Sequence, residues 1–140
     1  CEFVVAARDS MFVMAYSSIA LSPDGGGSWN LSRVLPRQLA AELMLLGERV
    51  SAERLHALGS VNRLVESGTA LTEALDLAER INARAPNAMQ SIKDLINDAA
   101  NQTLNVHLAQ ERDNFVNNLH HANAGIGISA FLNKEKPIYK

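Results

Sequence analysis

Asp24 is the residue from which chemistry is most readily built. It lies in Ser22-Pro23-Asp24-Gly25-Gly26-Gly27-Ser28, between a proline that fixes φ and three residues without a Cβ. Glycines let a ligand and the backbone approach closely, so a carboxylate in that setting can serve as a general base. The plainer role is structural. Asp-Gly is a turn signal, and an aspartate ahead of a helix caps its free amides. Spacing by itself favours the turn or cap. Gly25-Gly26-Gly27 has neither the spacing nor the Lys-Ser/Thr ending of a phosphate loop, so it is not a nucleotide motif. Glu2, at a strand start, reads as a solvated or paired acid.

Other reactive side chains do not assemble by spacing. His120 and His121 are adjacent and face different sides of a helix, while His56 and His107 are isolated. With no HxxxH or HExxH pattern, no metal site is expected. Ser22, Ser28 and Ser129 lack a GxSxG context, which disfavours serine hydrolase chemistry. Tyr16 is a polar-tipped aromatic that either packs or lines a pocket. Lys134, Lys136 and Lys140 crowd the C-terminus near Phe131. They read as a solubilising tail, or as a cation beside an aromatic that meets a phosphate and an adenine ring.

Positioning these residues requires a frame. Cys1-Glu2-Phe3-Val4-Val5-Ala6-Ala7 reads as a strand buried on both faces, and Met11-Phe12-Val13-Met14-Ala15-Tyr16 as a second extended stretch. Ser17 to Leu21 is either a short helix or a loop. The Ser22–Gly27 breaker follows, and Ser28 to Leu35 resumes as a short helix. Pro36 opens a helix with Leu39, Leu43 and Leu46 on one face and Gly47 as its stop. Ser51 is an N-cap for a helix ending near Gly59, and Val61-Asn62-Arg63-Leu64-Val65 is strand-like. Helical stripes then run to the end: Leu71, Ala74, Leu75, Ala78 and Ile81; Met89, Ile92, Leu95, Ile96 and Ala99; Leu104, Leu108, Phe115 and Leu119. Gly125 and Gly127 should punctuate before a last turn or two holding Ile128, Phe131 and Leu132.

These stripes carry more apolar surface than so small a sheet can cover, so another subunit or an upstream domain is expected. The start inside an apolar run, without Met, leads us to expect a piece of a longer protein. Thirteen Lys and Arg against fifteen Asp and Glu give a net charge of −2, with no basic block to hold nucleic acid. A lone Cys1 excludes an internal disulfide framework and a cysteine zinc cluster. No apolar run is long enough to span a bilayer. A soluble, reducing, cytoplasmic setting is expected.

Five segments in order resemble the enoyl-CoA hydratase/isomerase (crotonase) superfamily. They are Cys1 through Phe12 with Ser22–Ser28, Gly47-Glu48-Arg49-Val50-Ser51-Ala52, Val61–Val65, and Gly127-Ile128-Ser129-Ala130-Phe131-Leu132 with the helices between. The resemblance runs over essentially the whole chain but only the C-terminal half of such a protein. It implies an α/β fold: over 1–68 the C-terminal part of a ββα spiral core, and over 69–140 a helical region that builds trimers, often paired into hexamers. It also implies acyl-CoA thioester substrates, no cofactor or metal, and an enolate held by two backbone N–H groups of an oxyanion hole.

Two departures refine the expectation. Family hydratases use two glutamates, one upstream of this chain and one aligned with Tyr16, which is no carboxylate. Asp24 falls where the Δ3,Δ2-enoyl-CoA isomerases carry their single acidic base, and Ser22-Pro23-Asp24-Gly25-Gly26 resembles the isomerases of phenylacetate degradation. The resemblance therefore implies a double-bond isomerase with Asp24 catalytic, Tyr16 and Gly25 at the acyl pocket, and Phe131 with Lys134 on CoA. The oxyanion-hole amides are expected to precede Cys1, which would leave this stretch inactive alone. The other readings are an enoyl-CoA hydratase, an aroyl-CoA hydrolase or dehalogenase with Asp24 as nucleophile, and a non-catalytic assembly module.

Overall fold

A computed structural model describes residues 2–140; Cys1 lies outside the described residues. Two compact units are present, one ending at Asp76 and the other beginning at Leu77.

Among the described residues, the first unit holds four short strands. β1 (Val5–Ala7) runs parallel to β4 (Arg63–Val65), with Ala6 opposite Leu64. β2 (Met11–Val13) runs antiparallel to β3 (Arg49–Ser51), with Phe12 opposite Val50. The opening strand is shorter and less enclosed than its apolar run suggests: only Ala6 is buried, and Val5 and Ala7 are half-buried. The second stretch stops at Val13 rather than reaching Tyr16. β3 begins only at Arg49, after a left-handed Gly47, so no ladder partner exists beyond Val13. Ala15–Ile19 coils instead into a 3-10 helix. β3 itself has no clear sequence signal, because three residues are too few to display an alternation.

Helices α1 (Gly27–Val34), α2 (Arg37–Leu46) and α3 (Ala52–Ala57) complete this unit before α4 (Ala70–Asn82). α2 follows Pro36 and buries Leu39, Ala40 and Leu43, whereas Leu46 points to solvent. The Ser51 hydroxyl accepts the Arg54 N–H at 3.2 Å, capping α3 as its position predicts. The core gathers Ala6, Leu35, Leu39, Ala40, Leu43, Val50, Ala52, Leu55 and Val61, with Leu31, Met44 and Leu64 against it.

Gly47 closes α2 with φ of 65°, and a Cβ there would sit 3.1 Å from Ser18 Oγ and 3.2 Å from Ser17 Oγ. It therefore fixes how closely the 3-10 helix approaches. Gly47→Ala is expected to cost about 1–2 kcal/mol, from the left-handed backbone alone before any displacement of Ser17 and Ser18. A urea unfolding midpoint reads this directly, and an unchanged midpoint would refute it.

The second unit carries α5 (Pro86–Ala99), α6 (Leu104–Leu119) and α7 (Ala122–Asn133). Pro86 occupies the first turn of α5, where its missing N–H costs nothing. The last element is longer than the expected turn or two. α7 runs through both Gly125 and Gly127, and the Tyr139 ring fills the space a Gly127 side chain would take, its Oη 3.0 Å from that Cβ position. The His121 ring accepts the Asn123 N–H at 3.1 Å and caps α7.

No residue of α4, α5 or α6 is buried. Leu71, Leu75, Ile96, Leu104, Phe115 and Leu119 all remain exposed, so the stripes exist but are uncovered in this chain. The buried hub of the second unit is polar. Asn123 donates to Asn87 Oδ1 at 2.9 Å and to the Lys140 carbonyl at 3.0 Å, and accepts the Lys140 N–H. Asn87 in turn donates to Asn118, which donates to Ser91. Among the described residues, no helix is long and apolar enough to cross a membrane.

Candidate active site

The loop before α1 is shaped by its glycines. Gly25 and Gly26 both take left-handed backbone angles, φ 56° and 82°, which non-glycine residues reach only at a cost. Gly27 is not left-handed, and a Cβ there would lie 2.8 Å from Met14 Cε, a flexible side-chain end that would have to shift. The Gly27 N–H donates to the Asp24 carbonyl at 2.9 Å, so the turn foreseen for Asp-Gly is realised. The capping role is not. Gly26 is the N-cap of α1, with no side-chain hydrogen bond, and Asp24 lies two residues further out.

What the Asp24 side chain does instead is meet Tyr16. Tyr16 Oη donates to Asp24 Oδ1 at 2.6 Å, the range of a charge-assisted O–H···O⁻ bond. Asp24 is exposed and Tyr16 half-buried. No hydrogen bond to the second oxygen, Oδ2, is formed among the described residues. The Tyr16 phenol is pushed above the ordinary tyrosine range, first by donating to Asp24 and then by the carboxylate's charge, with desolvation adding and the Asp24 backbone N–H opposing. Titrating phenolate absorbance should therefore place the Tyr16 transition above that of ordinary tyrosine. In Asp24→Asn it should move back down, and no movement would contradict the pairing.

Beside this pair lies a cleft of about 520 Å³ with mostly apolar walls, bordered by Ser17, Leu21, Pro23, Ser28, Ala41 and Met44. Ser17 and Pro23 are the chain neighbours of Tyr16 and Asp24. Ser28 and Ser32 reach it from successive turns of α1, and Arg37 from the start of α2. Sequence reasoning singled out neither Ser32 nor Arg37. The only signal for Ser32 was its i, i+4 spacing from Ser28 just after a glycine loop, and Arg37 had none.

Phe131 and Lys134 belong to the second unit. Phe131 is 82% exposed on the last turn of α7. Lys134 closes that helix in a left-handed conformation, φ 58°, its N–H donating to the Phe131 carbonyl. Such a backbone is uncommon outside glycine and asparagine, and holds the lysine one turn from the exposed ring. A second cleft, about 380 Å³, lies in this unit between Phe115, Leu119, Ile128 and Tyr139, with Asn87 and Asn123 in its wall. Among the described residues, no three His, Cys, Asp or Glu converge as a metal site would need.

The sequence profile of the family described as "Enoyl-CoA hydratase/isomerase" matches residues 1–140. The chain belongs to that family. Within the enoyl-CoA hydratase/isomerase family, it is 39% identical to the 1,2-epoxyphenylacetyl-CoA isomerase of Escherichia coli (strain K12), over 97% of this chain and 52% of the relative. It is 31% identical to the 2,3-dehydroadipyl-CoA hydratase of the same strain, over 100% of this chain and 55% of that protein. The crystal structure of an enoyl-CoA hydratase from Polaromonas sp. JS666 superposes with a TM-score of 0.97 at 61% identity, over 100% of this chain and 55% of that one. The chain thus spans about half the length of the family members it matches, and its fold is that of the crotonase superfamily.

Proposed function

We propose that the protein moves the double bond of an acyl-CoA thioester, with Asp24 carrying the proton. The observation that carries this reading is the partner of Asp24. Tyr16 stands where a family hydratase is expected to place its second glutamate, and its phenol donates to Asp24 rather than offering a second carboxylate. One carboxylate suffices for a 1,3-proton shift, whereas adding water across a double bond calls for both a base for the water and an acid for the carbon. The cleft beside Pro23 offers mostly apolar walls to an acyl chain.

In this reading Asp24 Oδ2 takes a proton from C2 of a 3-enoyl thioester. The C–H electron pair moves toward the thioester carbonyl and forms a dienolate. The same oxygen then returns the proton to C4, leaving the double bond between C2 and C3. Two backbone N–H groups, expected to lie N-terminal to Cys1, would hold the enolate oxygen; losing one such donor costs about 10²–10³ in rate. Phe131 and Lys134 are proposed to meet the adenine and a phosphate of CoA. The uncovered stripes of α4 to α6 support assembly into a homotrimer or hexamer, and a cytoplasmic setting is proposed with it.

Hydration is the second reading, favoured by relatives named hydratases. The intact protein that carries this sequence should be supplied in parallel with 3-enoyl-CoA and 2-enoyl-CoA thioesters. Faster conversion of the first to its 2-enoyl isomer supports the isomerase. Water addition that is equal or faster, and indifferent to Asp24→Asn, would reject it.

A further inference from the structure

We infer that Tyr16 is a positioning residue for Asp24: by holding Oδ1 it makes Oδ2 the one atom that carries the proton. This deepens the isomerase reading above and rests on it. Tyr16 was expected at the end of a strand. It sits instead on the 3-10 helix Ala15–Ile19, packed against the glycine that ends α2, with its hydroxyl 2.6 Å from Asp24 Oδ1.

The loop gives Asp24 little other restraint. Its side chain is exposed, caps no helix, and is followed by two left-handed glycines. Without the phenol the carboxylate would rotate freely and present either oxygen. A shift performed by one base needs the same oxygen to face C2 and then C4 of one bound substrate, so a rotating carboxylate would misplace the proton between the two half-reactions. Tyr16 stays a donor throughout. Its phenol is held above the ordinary tyrosine range by the carboxylate it serves, so it keeps its own proton while Oδ2 gains and loses one. The hydrogen bond to Oδ1 persists in both states, and the dienolate receives back on C4 the proton lost from C2.

The test is a double-mutant cycle in the intact protein, following 3-enoyl-CoA isomerisation in wild type, Tyr16→Phe, Asp24→Asn and the double variant. Tyr16→Phe keeps the ring and deletes only the donor. It is expected to lower kcat about tenfold with KM within about twofold, the size of losing one hydrogen bond to a charged group. In the Asp24→Asn background the same replacement should change the residual rate less than about twofold, because Tyr16 acts only through Asp24. Two results would overturn the inference while leaving the isomerase reading intact. One is a Tyr16→Phe variant with raised KM and unchanged kcat, the mark of a pocket wall. The other is a loss repeated in full in the Asp24→Asn background. Full activity in Asp24→Asn itself would instead overturn the isomerase reading.

Discussion

Replacing Asp24 by asparagine is expected to slow double-bond migration by about 10²–10⁴, the usual contribution of a general base. The substitution is informative because it preserves shape. Asparagine retains a carbonyl oxygen that can accept the Tyr16 Oη–H, now at 2.6 Å from Oδ1, and the following glycine turn depends on the Asp24 backbone carbonyl rather than its side chain. What is lost is the second oxygen as a proton acceptor. Asp24→Glu should recover little, since one extra methylene moves the reacting oxygen by more than about 1 Å, and misplacement on that scale can cost about 10² in rate. The same variants separate the nucleophilic alternative. A covalent ester on Asp24 would appear as an added mass on the trapped protein with an aroyl-CoA substrate, while a proton carrier leaves the mass unchanged at every stage of turnover.

The second large effect is on stability. Asn123→Ala is expected to cost about 2–3 kcal/mol, because it deletes three hydrogen bonds made by one buried amide. Asn123 is 3% exposed. Its amide links Asn87 on α5 to both the N–H and the carbonyl of Lys140. Without it, the Lys140 backbone loses both partners and Asn87 keeps only its bond to Asn118. Chemical denaturation should record the loss, and hydrogen exchange should find the segment after Lys134 newly accessible. A midpoint unchanged from wild type would mean that ordered water replaces all three bonds at little cost.

Much of the frame was legible because its signals are local. Pro36 and Gly47 bracket α2, Ser51 caps α3, and Pro86 opens α5, each through the conformational limits of one residue type. The failures share one cause. Where an element ends depends on its partner: β2 stops at Val13 because β3 starts at Arg49, a pairing 36 or more residues apart in sequence. α7 continues through Gly125 and Gly127, and at Gly127 the Tyr139 ring occupies the side of the helix that glycine leaves open. The site divides the same way. Asp24 stood out from its neighbours, since a carboxylate between proline and three glycines is a local pattern. Its pairing with Tyr16 spans only eight residues but depends on a 3-10 helix whose packing is set by Gly47, and no local pattern reports that. The asparagine hub carries no local signal, because asparagines scattered over three helices, joined to the backbone of Lys140, show no periodicity.

The proposal that one carboxylate both removes and returns the proton is tested most directly by following the label. A 3-enoyl-CoA deuterated at C2 would be turned over by the intact protein and its product read by NMR. The mechanism predicts a 2-enoyl thioester with part of the deuterium delivered to C4. A 3-hydroxyacyl product, or a C4 position carrying solvent hydrogen alone, would contradict it.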